Sequence, residues 1–195
     1  MNNPWEETKN FTGDVKVYYT NLLSHLTKYK RNDIFIETGT YIGNGLNCAL
    51  QAGYRKCYSI EIHKRFFDNA MIRFLPEIMA DQVQLLYGNS ETILSQIIKA
   101  LDEPATFWLD AHISSQYGEQ LAKNCPILEE LNSIQSNPIK NHTILIDDLN
   151  CFDNYMHDNI TLDMVYKCLR RINSNYTFEL LDATQPNNIL IAYVK

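Results

Sequence analysis

Short unbroken apolar runs alternate along this chain with stretches whose apolar positions recur every three to four residues. The first kind fits strands buried on both faces, the second helices with one apolar stripe. Residues 14–29 carry Val15, Tyr18, Tyr19, Leu22, Leu23 and Leu26 at helical spacing. Residues 33–37 read as a strand entering a tight glycine loop, and 44–52 as a helix stopped by Gly53. A second strand is expected over Lys56–Glu61, a helix over 63–75 closed by Pro76, and a third strand over Val83–Tyr87. Ser90 predicts the N-cap of a helix through Leu101.

The fourth strand, Ala105–Leu109, ends at Asp110. A polar loop over 111–124 precedes a helix from Pro126 to about Ile134. Thr143–Ile146 forms the fifth strand and stops at Asp147-Asp148. A helix over Leu162–Ile172 and two last strands, Thr177–Leu181 and 189–194, complete the chain. The turn-rich segment 182–188 between those two strands suits an antiparallel hairpin. Strands alternating with helices imply right-handed crossovers and a parallel sheet covered on both faces. The expected fold is therefore α/β: a Rossmann-like, doubly wound, seven-stranded, mostly parallel sheet in a three-layer αβα sandwich. Residues 1–195 read as one domain, with 1–30 as an N-terminal helical extension.

Composition narrows the partners. The net charge is -6, which disfavours nucleic acid or an anionic membrane surface as main partner. The N-terminus has neither the basic nor the apolar region of a signal peptide, and no apolar run approaches the length of a membrane span. The five cysteines show no CxxC spacing and read as reduced thiols in a soluble, cytoplasmic protein.

In open α/β sheets, ligands bind beyond the carboxyl ends of the strands. Polar residues gather at those ends here: Glu37, Glu61, Asn89, Asp110 and Asp147-Asp148. Any one of them alone reads equally well as a helix cap or a solvated loop residue. The first loop, Glu37-Thr38-Gly39-Thr40-Tyr41-Ile42-Gly43, departs from the dinucleotide fingerprint and from the P-loop. An acid before the glycines repels a pyrophosphate and suits a cationic ligand. Glu61 lies 24 residues after Glu37, where a carboxylate can accept both ribose hydroxyls.

These residues resemble the class I S-adenosylmethionine-dependent methyltransferases, in particular the catechol and macrolide-sugar O-methyltransferase-like enzymes. The resemblance covers about residues 33–150. Glu37, Thr38, Gly39, Thr40, Tyr41 and Gly43 look like the first motif of that family, and Glu61-Ile62 like its ribose-binding motif. Gly88-Asn89-Ser90 looks like the turn that meets the adenine. Asp110 with Asp147 and Asp148 look like the strand ends that hold a divalent metal. The resemblance implies an O-methyltransferase with S-adenosylmethionine and Mg²⁺, Asp110 serving both cofactor and metal. Three carboxylates at neighbouring strand ends also call for a compensating cation on physical grounds, and a hard ion prefers oxygen ligands.

The chain departs from catechol-type members, which carry a Lys shortly after the first metal Asp. Ala111, His112 and Ile113 stand there instead. His112 is the candidate base, since a neutral imidazole accepts a proton near pH 7. It could equally ligate metal or hydrogen-bond the loop. Trp5, Tyr117, Phe152, Tyr155 and His157 are candidates for acceptor recognition. By analogy with the relatives, a sugar or glycan hydroxyl is the favoured acceptor among small molecules; a homodimer is left open. The alternatives are a metal-independent methyltransferase with His112 as base, a non-catalytic nucleotide-binding module and an NAD-dependent reductase.

Overall fold

The structure, a computed structural model, describes residues 13–112, 124–154 and 157–195. Seven strands form one sheet: β1 (Ile34–Thr38), β2 (Lys56–Glu61), β3 (Val83–Tyr87), β4 (Ala105–Leu109), β5 (Thr143–Ile146), β6 (Thr177–Leu181) and β7 (Ile189–Tyr193). Their spatial order is β3-β2-β1-β4-β5-β7-β6. The first five run parallel, and β7 pairs antiparallel with both β5 and β6. The expected doubly wound sheet with a closing hairpin is thus the observed fold.

The chain order reverses between β1 and β4, so their carboxyl ends flank the topological switch point where such sheets bind ligands. The register is tight there. Thr38 pairs with Ile60 on one side and with Leu109 on the other. The tips of β1, β2 and β4 therefore finish nearly level.

Alternation along the strands builds two apolar layers. Ile34, Ile36, Ile60, Phe107 and Ile144 face α5 (Ser90–Ala100), α6 (Ile127–Ser136) and α7 (Leu162–Ile172). Phe35, Cys57, Trp108 and Leu145 face the other way, toward α1 (Asp14–Lys28) and α2 (Asn44–Gln51). Leu22 and Leu26 seat α1 in this second layer, both fully buried; each contributes roughly 1.5–3 kcal/mol by transfer from water. Asn21 Nδ2 donates to the Ala183 carbonyl at 2.7 Å, tying α1 to the β6–β7 connection. Among the described residues, no helix is long and apolar enough to cross a membrane.

Three boundaries differ from expectation. Pro76 does not simply close a helix: α3 (Lys64–Arg73) ends before it, and Pro76 sits in the first turn of the short α4 (Leu75–Met79). Its missing N–H costs nothing there, because a first-turn N–H has no helical partner. Ser90 is not the cap of α5. Asn89 is, its Oδ1 accepting from the Glu91 N–H at 2.9 Å, which frees the Ser90 hydroxyl. β1 is displaced by one residue, to Ile34–Thr38, so that Glu37 lies inside the strand and not at its tip.

Candidate active site

The first loop leaves β1 through Gly39, at φ +84°. A Cβ there would stand 2.5 Å from the Asp110 carbonyl oxygen, so a glycine is needed for the β1 and β4 ends to approach. Tyr41 is also left-handed, at φ 48°, and this turn aims its N–H at Glu61 Oε2, 2.7 Å away. The His63 N–H, at the start of α3, donates to Glu61 Oε1, also at 2.7 Å. Glu61 is thus held by two backbone donors at the β2 tip. Burial raises its pKa, while these same donors favour the ionised form.

Glu37 requires a correction. Its side chain follows the strand alternation to the α2 side of the sheet and is only 1% exposed. Ser59 donates to its Oε2 at 2.5 Å, and Ser59 in turn meets Thr40 Oγ1 at 2.5 Å. Its Oε1 lies against Gly45 in the first turn of α2, leaving no room for a Cβ. Glu37 therefore props the loop from beneath, and does not stand at the loop mouth as the sequence suggests. Burial pushes its carboxyl up to about 8.

Asp110, at the β4 end, and Asp147 and Asp148, after β5, form an acidic cluster, with Asp147 N–H donating to the Leu109 carbonyl. The Asp148 backbone is left-handed, at φ 55°, which turns its carboxylate back toward Asp110. His112 lies between the two. Its Nδ1 is 3.3 Å from Asp110 Oδ1 and its Nε2 is 3.0 Å from Asp148 Oδ2. One ligating atom from each of Asp110, His112 and Asp148 falls within 4.8 Å of the others. Asp147 is turned elsewhere: its Oδ2 accepts from the Tyr18 hydroxyl of α1, and its Oδ1 has no partner among the described residues.

The electrostatics follow from this packing. Burial works against a charged imidazole, but the hydrogen bonds and charges of Asp110 and Asp148 outweigh it and lift His112 to about 11. A ring bridging two carboxylates favours its protonated form, which is not the form a general base needs. Burial would raise Asp148, yet His112 and Asn188 hold it below the usual carboxylate value. Asp147 has no cationic partner, and burial with the charges of Asp110 and Asp148 outweighs its hydrogen bond from Tyr18 and takes it to about 8.

A small pocket of about 20 Å³ opens on this cluster, bounded by Asp110, His112, Asp147, Glu130, Phe152 and His157. His157 is 8% exposed, its ring centroid 5.2 Å from that of His112. Phe152 is buried as well and forms pocket wall and core at once. Trp5, Tyr117 and Tyr155 lie outside the described residues. His142 is structural: fully buried, it accepts the Ala105 N–H through Nδ1 at 3.1 Å, on the far side of the sheet.

Sequence reasoning missed Tyr18 and Glu130. Tyr18 gave no signal beyond its place on the helical stripe. Glu130 did: it falls three residues after Ile127 and four before Ile134, on the apolar face of α6.

No family model matches the chain, and no curated protein sequence matches it. Solved structures do. The Podospora anserina methyltransferase PaMTH1, with S-adenosylhomocysteine bound, is similar at a TM-score of 0.61 and 14% identity, covering 98% of this chain and 86% of that one. An O-methyltransferase from Bacillus cereus, also with S-adenosylhomocysteine, gives 0.62 and 15%, covering 95% and 83%. The O-methyltransferase TomG from Streptomyces achromogenes, involved in tomaymycin synthesis and solved with S-adenosylmethionine, gives 0.57 and 15%, covering 98% and 86%. At these identities the likeness establishes that the fold is shared.

Proposed function

We propose that this chain, as one domain over residues 1–195, is an O-methyltransferase. It moves the methyl group of S-adenosylmethionine to a hydroxyl of a small-molecule acceptor, a sugar or glycan being favoured, with a divalent cation such as Mg²⁺ assisting. One observation carries the reading. The glycine loop, the held Glu61 and the acidic cluster meet at a single sheet rim, and the Gly39 backbone packs directly on Asp110. A nucleoside site and an acidic acceptor site would thereby share a wall.

The residues fit both groups. Glu61, at the β2 tip, faces the position of a ribose and can accept its hydroxyls. The Tyr41 and His63 N–H groups fix its orientation. Thr38, Gly39, Thr40 and Gly43 shape the loop around the ligand, with Ile62 and the Asn89-Ser90 turn bounding it on the β3 side. Glu37 supports that loop from below. Asp110 and Asp148 supply oxygen donors suited to a hard divalent ion and with His112 make the group whose ligating atoms lie within 4.8 Å of one another, while Asp147, held by Tyr18, would have to turn to join them. A bound cation would supply Lewis-acid stabilisation of an acceptor oxygen that is losing its proton. Phe152 and His157 would exclude water from the acceptor. A reduced, cytoplasmic setting belongs to the same reading, and the five cysteines are free thiols.

A second reading is favoured by His112. Both of its ring nitrogens are spent on carboxylates, one each, whereas a metal ligand presents one nitrogen to the ion. In that case His112 is itself the cation of the cluster, and methyl transfer proceeds without a metal. Methyl transfer to a panel of sugar and catechol acceptors, in EDTA and after added Mg²⁺, separates the two. Activity restored by Mg²⁺ supports the first and indifference to chelation the second. Failure of the protein to bind S-adenosylmethionine at millimolar concentration would sink both.

A further inference from the structure

The closing hairpin reaches back to the acidic cluster through one residue. Ile146 of β5 pairs with Leu190 of β7, and two residues beyond that pair Asp148 and Asn188 come opposite each other. Asn188 is buried, and three consecutive residues meet it. The Leu149 N–H donates to its carbonyl at 3.0 Å, the Asn150 N–H donates to its Oδ1 at 2.9 Å, and its own Nδ2 donates to Asp148 Oδ1 at 3.2 Å. The Asn150 donor settles which way the amide points, since only the amide oxygen can accept. The NH₂ group is thereby committed to Asp148.

This clasp accounts for the different partners of two adjacent acids. Asp147 is taken by Tyr18 of α1. Asp148 leaves the extended run with a left-handed backbone, φ 55° and ψ 45°, a conformation that a residue with a side chain holds at a cost. The two N–H groups that follow it both find their acceptors on Asn188, and this offsets the cost. The Asp148 carboxylate is then held at both oxygens, Oδ1 by Asn188 and Oδ2 by His112 Nε2 at 3.0 Å. Resting on the preceding reading of this cluster as the acceptor side of the site, we infer that Asn188 is a positioning residue. It aims the Asp148 carboxylate at His112 and Asp110, and so sets how the cluster holds its cation, whether that is the His112 ring or a metal ion.

The test needs no turnover. In isotope-labelled full chain kept in EDTA, the His112 Nε2–H proton should give a downfield magnetic resonance signal, because it is bonded to Asp148. Asn188→Ala should abolish that signal or move it upfield, while the Nδ1–H signal, bonded to Asp110, stays in place. Asn188→Asp keeps an acceptor for the Asn150 N–H, and with it the loop, but sets an oxygen against Asp148. It should disturb the Nε2–H signal as Asn188→Ala does, and it guards against a variant that merely misfolds. Mn²⁺ affinity, followed by electron paramagnetic resonance, should fall about tenfold or more in Asn188→Ala, the usual loss when the partner that orients a ligating group is removed. An Nε2–H signal that both variants leave unchanged would overturn the inference, as would equal Mn²⁺ binding by wild type and Asn188→Ala. Mn²⁺ binding by neither protein would instead overturn the metal-assisted reading, and the ring signal would still decide the role of Asn188.

Discussion

The hydroxyl of Tyr18 donates to Oδ2 of Asp147, joining residues 129 apart in sequence. The first helix thereby reaches the acidic cluster directly. Burial, followed by the charges of Asp110 and Asp147, raises the tyrosine pKa well above its ordinary value, so the proton stays on Tyr18 and the group acts only as a donor. Tyr18→Phe removes that donor and leaves the buried Asp147 without the side-chain hydrogen bond its Oδ2 accepts. A loss of about 1–3 kcal/mol is expected for such an orphaned acceptor, which for a chain of this size lowers the unfolding midpoint by several degrees. Calorimetry in EDTA checks it; an unchanged midpoint would show the contact to be idle.

His112 decides what the cluster prefers as its cation. The ring occupies the space between Asp110 and Asp148 with a hydrogen bond to each. If it competes with a metal, His112→Ala vacates that space and Mg²⁺ or Mn²⁺ should bind about tenfold more tightly. If instead the imidazole is a ligand, the same variant should weaken Mn²⁺ binding. Mn²⁺ titration followed by electron paramagnetic resonance reads the direction without any activity assay. The bridging geometry leads us to expect tighter binding.

Most of the fold was legible because its signal is local. Buried parallel strands such as Ala105–Leu109 and Thr143–Ile146 are short apolar runs ended by acids, and nothing in their neighbourhood contradicts that pattern. The same locality explains the misses. Glu37 shares the face of Phe35, toward α2, because strand side chains alternate, and which of the two faces that would be is a tertiary property no local window reveals. Asn89 and Ser90 are both good caps, and only the observed Asn89–Glu91 bond distinguishes them. The protonation of His112 depends on two acids, one of them 36 positions away, that no window of sequence brings together.

Buried acids set the pH response. Glu37 titrates near 8 in the folded chain, against an ordinary value of 4.5. Between those two values the folded state keeps a proton that the unfolded chain has released. Its contribution to stability therefore falls as pH rises from about 4.5 to about 8, and is level above that. Glu37→Gln removes the ionisation while keeping an oxygen that can accept from Ser59. The variant should unfold several degrees above the wild type at pH 9 and near it at pH 5. Parallel pH profiles of the two would expose the opposite ordering if Glu37 were ionised and well solvated.

Gly39 joins the fold to the proposed chemistry most directly. Its left-handed backbone and the closeness of the Asp110 carbonyl both exclude a side chain. Gly39→Ala must therefore move the first loop away from the β4 end, and with it the Tyr41 N–H that holds Glu61. Loss of the left-handed preference alone costs about 1 kcal/mol, and the clash with backbone adds to it because backbone cannot rotate aside. A midpoint lowered by several degrees and S-adenosylhomocysteine affinity reduced at least tenfold are expected together. Gly53→Ala is the control. It has a comparable φ of +82° and nothing within 4 Å of its Cβ, and it lies beyond α2, away from the rim. It should lose stability to a smaller extent and leave ligand binding untouched. Equal losses of affinity in the two variants would mean that the β1–β4 approach does not shape the ligand site, and that Gly39 serves the backbone alone.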